Sequence, residues 1–337
     1  FSAPVVVDTP NRPVEDLVFL AAKDDDPFAR YEAMQTLVVQ NLVKAVSGGF
    51  EDDRARDVDR DAILQALEAV VEDPDLDDLM RAELLILPSE GYLAEQFDQS
   101  DPLAIHRERE GLKAWLAEEL AESLEDIHDR ASEVPYGRDA AARGARKIKS
   151  LALSYLAAAD PESAAQRALD QYEAADTMTD RQGALMVLAS LDAPQRATAL
   201  VDFYQRYDGN ALVIDKWFSL QASSMHPDVL DHVKALARQK DFTLNNPNRV
   251  RALYMAFAVN AHAFHAESGE GYAIIGDLIR TLDPINPQTA ARFVPSLGRW
   301  RRIEPKRAAL MRAELEKIAA VPTLSRDVLE QVTKSLG

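Results

Sequence analysis

Apolar residues recur along most of the chain with the three-to-four-residue spacing of amphipathic helices. Phe28, Tyr31, Met34, Leu37, Val38 and Leu42 fall on one stripe, which predicts a helix over residues 27–46. Ile105, Leu112, Trp115, Leu116, Leu120 and Leu124 predict a long helix over 102–127. Val187 and Leu188, then Ala199, Leu200 and Phe203, predict two shorter helices divided by Asp192-Ala193-Pro194. Alternating patterns are nearly absent beyond Val5-Val6-Val7, where a short strand is expected. Seven of the seventeen prolines follow Asp or Asn, a capping residue before a fixed first-turn φ, so these pairs read as helix starts.

These starts and stops give about sixteen helices of roughly 9–25 residues joined by short polar turns. Antiparallel helices so connected predict an all-α, armadillo- or HEAT-like superhelical stack, without a clean sequence period. One continuous core is expected, with a modest discontinuity near Glu133-Val134-Pro135-Tyr136. The glycines and charges of residues 48–60 read as a flexible loop.

At 337 residues and 47% hydrophobic the chain can bury a large core. Its formal net charge of −18, with no basic tract, argues against general nucleic-acid or anionic-membrane binding. The absence of cysteine excludes disulfides and thiolate metal sites and fits a cytoplasmic protein. No apolar run is long enough to span a membrane, and no leader pattern is visible. The opening Phe1-Ser2-Ala3-Pro4, without methionine, suggests a segment cut from a longer protein.

Candidate chemistry begins at Asn245-Asn246-Pro247-Asn248-Arg249-Val250-Arg251. Asn246 and Pro247 predict a helix start, which sets Arg249 and Arg251 beside the positive end of the helix dipole. A similar start at Asn286-Pro287 is followed by Gln288 and Arg292, four apart on one helix face. An amide and a guanidinium so placed can hold a carbonyl and a carboxylate, or sit on an exposed face. The ordinary reading of Arg249 and Arg251 is ion pairing with neighbouring helices. Lys216-Trp217-Phe218 reads as a buried helix with its charges at the rim.

Among the six histidines none lies in H-E-x-x-H; His262 and His265 with Glu267 form a possible metal cluster, set against His265 simply tying loop backbone. No G-x-S-x-G or phosphate loop occurs, and the acidic runs at 24–26 and 75–78 read as solvated helix starts. On this chemistry alone the chain is not an enzyme.

Residues 26–35 (D-P-F-A-R-Y-E-A-M-Q), 97–105 (F-D-Q-S-D-P-L-A-I), 213–222 (V-I-D-K-W-F-S-L-Q-A) and 242–251 (F-T-L-N-N-P-N-R-V-R) carry a further signal. So do residues 1–5, 87–89 (L-P-S), 178–180 (M-T-D), 264–272 (F-H-A-E-S-G-E-G-Y) and 286–292. Together they resemble, along the whole chain, the C-terminal helical domain of the bacterial aminopeptidase N family, alanyl-type zinc aminopeptidases of the gluzincin class. The resemblance implies that residues 1–7 are the trailing strand of a preceding β-sandwich and that 8–337 form a superhelical bowl. It implies a parent enzyme that releases N-terminal residues with a zinc ion bound by an absent catalytic domain carrying G-A-M-E-N and H-E-x-x-H. The bowl would cap that domain, enclose the substrate cavity and admit peptides but not folded proteins. Its partners would be the parent's own catalytic and β-sandwich domains and peptide substrates, with no nucleic acid and no membrane. Carried over by position, Arg251, Gln288 and Arg292 would line the cavity and hold substrate, leaving Arg249 structural. The fragment itself is expected to hold no catalytic residue and no metal. A free-standing helical scaffold for a protein partner is the alternative, separated by whether G-A-M-E-N and H-E-x-x-H lie upstream; an independent hydrolase using His262 or His265 is a third reading.

Overall fold

The structure is a computed structural model that describes residues 12–337; the strand expected at 1–7 lies outside them. The fold is all-α. Among the described residues, fifteen α-helices have eight residues or more, and a composite helix occupies 247–259. Short helices fill in between them, and among the described residues the strand-type pairing is an isolated parallel bridge between Ser100 and Ile303.

The helix Pro27–Ser47 shows how sequence sets the ends of an element. Asp26 accepts hydrogen bonds from the Phe28 and Ala29 amides at 2.8 and 2.9 Å, and Pro27 occupies the first turn. Gly48, at φ 63°, ends the helix in a left-handed conformation open to glycine at little cost. Met34, Leu37, Val38 and Leu42 are buried as the stripe predicts, whereas Phe28 stands 65% exposed at its front end. Asp26→Ala should cost about 1 kcal/mol, the usual value of an N-cap, read as a lower urea midpoint.

Five of the seven Asp-Pro and Asn-Pro pairs open helices, at Pro27, Pro102, Pro161, Pro247 and Pro287. The other two close them. Asp73 follows the helix Asp53–Val71 and gives its carbonyl to Arg81 at 2.5 Å; Asp283 follows Glu270–Leu282 and accepts from the Ser325 amide at 2.9 Å. Both acids serve a neighbouring segment rather than a helix of their own.

Two expectations change. The loop expected at 48–60 is mostly helix: Asp52 accepts from the Ala55 amide at 2.8 Å and starts Asp53–Val71. The charges there supply a cap and, further along the helix, ion pairs of Arg56 with Glu108 and of Asp59 with Lys44. The single helix expected over 102–127 divides at Leu120, whose φ/ψ of −99°/12° ends Pro102–Glu119 and begins Ala121–Ser132. Leu116, Leu120 and Leu124 stay buried through the break, so a continuous stripe does not reveal it.

Contacts divide the chain into two compact units, one running up to Ser89 and including Glu108–Ala159, the other made of Glu90–Arg107 and Asp160–Gly337. The segment 133–136 is not a boundary; it joins Ala121–Ser132 to Ala140–Ala159 inside the first unit. In that unit the buried Tyr155 hydroxyl donates to the Leu85 carbonyl at 2.6 Å, and Arg81 donates to the Val70 carbonyl at 3.2 Å.

In the second unit the core is rich in aromatics. Trp217 and Phe218 of Ala211–Ala222 are buried, as the sequence predicts, with Lys216 reaching Gln182 at 2.9 Å. Phe218 meets Phe242, and Phe242 meets Tyr254, at centroid distances of 6.1 and 5.8 Å.

Arg307, buried near the start of Pro305–Ala319, joins three segments of this unit. It donates to the His265 carbonyl at 2.8 Å and pairs with Asp101 at 3.4 Å and Glu304 at 3.1 Å. Ser100 exchanges backbone bonds with Arg302 and Glu304 at 2.8 and 2.9 Å beside it.

Candidate functional site

The composite helix 247–259 begins as the sequence predicts: Asn246 accepts from the Asn248 and Arg249 amides at 3.0 and 3.3 Å, and Pro247 follows. The next turn is not α-helical. Residues Arg251–Met255 form a π turn between Pro247–Val250 and Ala256–Val259. Arg-Ala-Leu-Tyr-Met contains only ordinary helix formers, so nothing in the sequence marks it. Such turns insert one extra residue and re-aim what they carry.

The two arginines of this segment have opposite surroundings. Arg249 is buried, with Nε 2.5 Å from Asp215 Oδ1, its guanidinium donating to the Asp241 and Ala211 carbonyls and stacked over Phe218 at 4.7 Å. A carboxylate, two carbonyls and an aromatic face offset the unfavourable dipole at the helix start. Arg251 is exposed, and its one side-chain bond among the described residues is to Asn248 Oδ1, at 2.5 Å. It has no acidic partner there. The ion-pairing reading therefore holds for Arg249 and fails for Arg251.

Asn286 accepts from the Thr289 amide at 3.0 Å and starts Pro287–Ala291. Thr289 and Ala290 face inward, while Gln288 and Arg292 are exposed, without a side-chain hydrogen bond or ion pair among the described residues. Because this helix has only five residues, Arg292 lies at its C-cap. There the dipole favours a cation, so Arg292 is not the misplaced charge that the sequence suggested. The structure thus places Gln288 and Arg292 together at one short helix. Arg251 sits on an element packed against Ala211–Ala222 and Val229–Leu236, whereas Pro287–Ala291 packs on Glu270–Leu282 and Arg326–Leu336.

The histidine pair singled out in sequence separates. His265 is turned into the core, with Nδ1 2.8 Å from the Tyr272 hydroxyl; burial, then the nearby Arg307 guanidinium, drives its pKa from the ordinary 6.5 to about 3. His262 instead faces His106, a residue of Pro102–Glu119. Neither this pairing nor the Arg307 junction has a local sequence signal, since both join segments remote along the chain.

No helix among the described residues is long and apolar enough to cross a membrane. Residues 14–337 match the family described as "Domain of unknown function (DUF3458_C) ARM repeats". The chain is 39% identical over 339 residues to aminopeptidase N of Caulobacter vibrioides and 34% identical over 338 residues to that of Escherichia coli. Both alignments cover 100% of this chain but only 39% and 38% of those proteins. The crystal structure of Legionella pneumophila aminopeptidase A in complex with aspartic acid superposes with a TM-score of 0.87 at 30% identity, covering 97% of this chain and 39% of that one. The chain belongs to the DUF3458_C family of ARM-repeat domains and corresponds to the helical C-terminal part of its aminopeptidase N relatives.

Proposed function

We propose that this chain serves a cytoplasmic zinc aminopeptidase as the domain that caps the catalytic part, encloses the substrate cavity and restricts entry to peptides. Arg251, Gln288 and Arg292 line that cavity, where Arg251 takes a carboxylate on the carboxyl side of a short peptide and the Gln288–Arg292 pair takes carbonyl and carboxylate oxygens. The observation that carries this reading is the contrast at 249–251: one arginine fully engaged, the next exposed without an acid although the chain bears 56 acidic residues. A cation kept free in so acidic a protein is available to an anionic ligand.

Zinc, when bound, supplies activated water for peptide hydrolysis. Its catalytic ligand pattern, two histidines one turn apart around a glutamate, does not occur in this sequence, and His265 is committed to Tyr272. The residues present do not fit that ion, so their part is to bind, orient and exclude water.

In the full-length enzyme, Arg251→Ala should raise KM for dipeptides about 10-fold or more, the usual weight of a hydrogen bond to a charged group, with kcat little changed. Amide and anilide substrates, which lack the carboxylate, should shift less than about 2-fold. Equal shifts for both classes would overturn the carboxylate-binding role.

A further inference from the structure

Positions 288, 292, 295 and 299 are exposed at spacings of four, three and four residues, the period of one helix face. Thr289, Ala290, Phe293, Val294 and Leu297 between them are buried. The face continues across three short elements, Pro287–Ala291, Val294–Gly298 and the 3-10 turn Arg299–Arg302, because the linking Arg292 and Phe293 keep right-handed helical dihedrals. The pair Gln288 and Arg292 therefore has a further cation, Arg299, two turns on. Arg299 shares their condition, with no side-chain hydrogen bond or ion pair among the described residues.

The other arginines from 280 to 312 are all engaged. Arg280 pairs with Asp277, Arg307 with Asp101 and Glu304, and Arg312 with Glu316. Arg301 donates to the Ser335 and Leu336 carbonyls at 2.9 and 2.8 Å, and Arg302 to the Glu95 carbonyl at 3.4 Å. Arg299 has a free side chain on a fixed backbone. Trp300 Nε1 donates to the Ser335 carbonyl at 3.0 Å, and a Cβ at residue 298 would come within 2.7 Å of Ser335 Oγ, so the turn at Gly298 seats directly on Arg326–Leu336. A cation mounted this way needs little reorganisation to hold a ligand.

Seven residues at a rise of about 1.5 Å each put the Arg292 and Arg299 backbones about 10 Å apart. An extended peptide covers that distance in three residues, at about 3.3–3.6 Å each. We propose that Arg299 is a second anion-holding residue of the substrate face, which with Arg292 selects peptides whose acidic side chain lies three residues from the terminal carboxylate. Pro295, on the same face between the two arginines, carries no charge that would compete for either end. A guanidinium is suited to this task because its planar donors match a carboxylate and it stays charged at every working pH. The proposal rests on the peptidase reading of this face and adds to it a preference for doubly acidic peptides of one register.

Three pentapeptides given to the full-length enzyme separate register from charge. Leu-Glu-Ala-Ala-Ala carries its carboxylates three residues apart, Leu-Ala-Ala-Glu-Ala carries them one residue apart, and Leu-Gln-Ala-Ala-Ala carries the terminal one alone. Arg299→Gln should lower kcat/KM for the first about 5-fold, the upper end of what an exposed ion pair contributes, and for the other two less than about 2-fold. Arg299→Lys, which keeps the charge, should recover most of the loss. Arg206→Gln removes an exposed cation that pairs with Asp202 elsewhere in the unit, and should leave all three peptides within about 2-fold of wild type. The melting curve of Arg299→Gln should match the wild type, since the side chain is exposed. Equal losses on all three peptides, no loss on the first, or the same pattern from Arg206→Gln would each overturn the proposal. If Arg251→Ala still raises the dipeptide KM, such a result removes Arg299 alone; wild-type enzyme that cleaves none of the peptides removes the peptidase reading as well.

Discussion

Asp215→Ala should lower stability by about 3–5 kcal/mol, the usual consequence of removing one partner of a buried ion pair. Arg249 and Asp215 have side-chain exposures of 5% and 15%, so solvent cannot take over the guanidinium when the carboxylate goes. Arginine does not shed its proton at accessible pH, which leaves a buried charge held only by the Asp241 and Ala211 carbonyls and the Phe218 face. Asp215→Leu combined with Arg249→Met should recover part of the loss, because the uncompensated charge is then removed as well. Arg251→Ala, two residues further on, should change stability by no more than about 0.5 kcal/mol. Urea midpoints of the four proteins compare them directly. Equal losses from Asp215→Ala and Arg251→Ala would erase the distinction on which the proposed site rests.

His265 should make the protein acid-labile through a single ring. Its pKa is about 3 in the folded state, against an ordinary value near 6.5, because burial disfavours the imidazolium and Arg307 repels it. The unfolded chain therefore binds the proton more readily, and stability from this group is complete above pH 6.5. As pH falls from 6.5 toward 3, it should decline by about 1.4 kcal/mol per unit, or about 3 kcal/mol by pH 4. His265→Gln can still accept from the Tyr272 hydroxyl and cannot titrate. The stability difference between wild type and variant should be flat above pH 7 and move steadily in the variant's favour in acid. Parallel curves through pH 4 would show that His265 takes up its proton without cost.

Features set by neighbours in sequence were legible from residues alone. Asp26-Pro27, Asp160-Pro161 and Asn286-Pro287 mark helix starts because cap and fixed φ act within one turn. The break at Leu120 was not, because an apolar stripe reports which residues are buried and not whether the axis bends beneath them. Asp52 was misread because an acid in a charged run looks alike as a cap or as loop. At the candidate site, the exposure of Arg251 and burial of Arg249 depend on Asp215, Phe218 and Asp241, which only the fold delivers. His106 and His262 meet for the same reason.

The π turn at Arg251–Met255 shifts the phase of the composite helix between its two ends. In a regular α-helix the azimuth of residue 251 fixes that of residue 257, so whatever suits a ligand at one must suit the core at the other. The extra residue changes that fixed angle, and with it Phe257 is fully buried while Arg251 projects outward. A single inserted residue thus sets which side chains of the first turns meet solvent without altering the caps at either end of the helix.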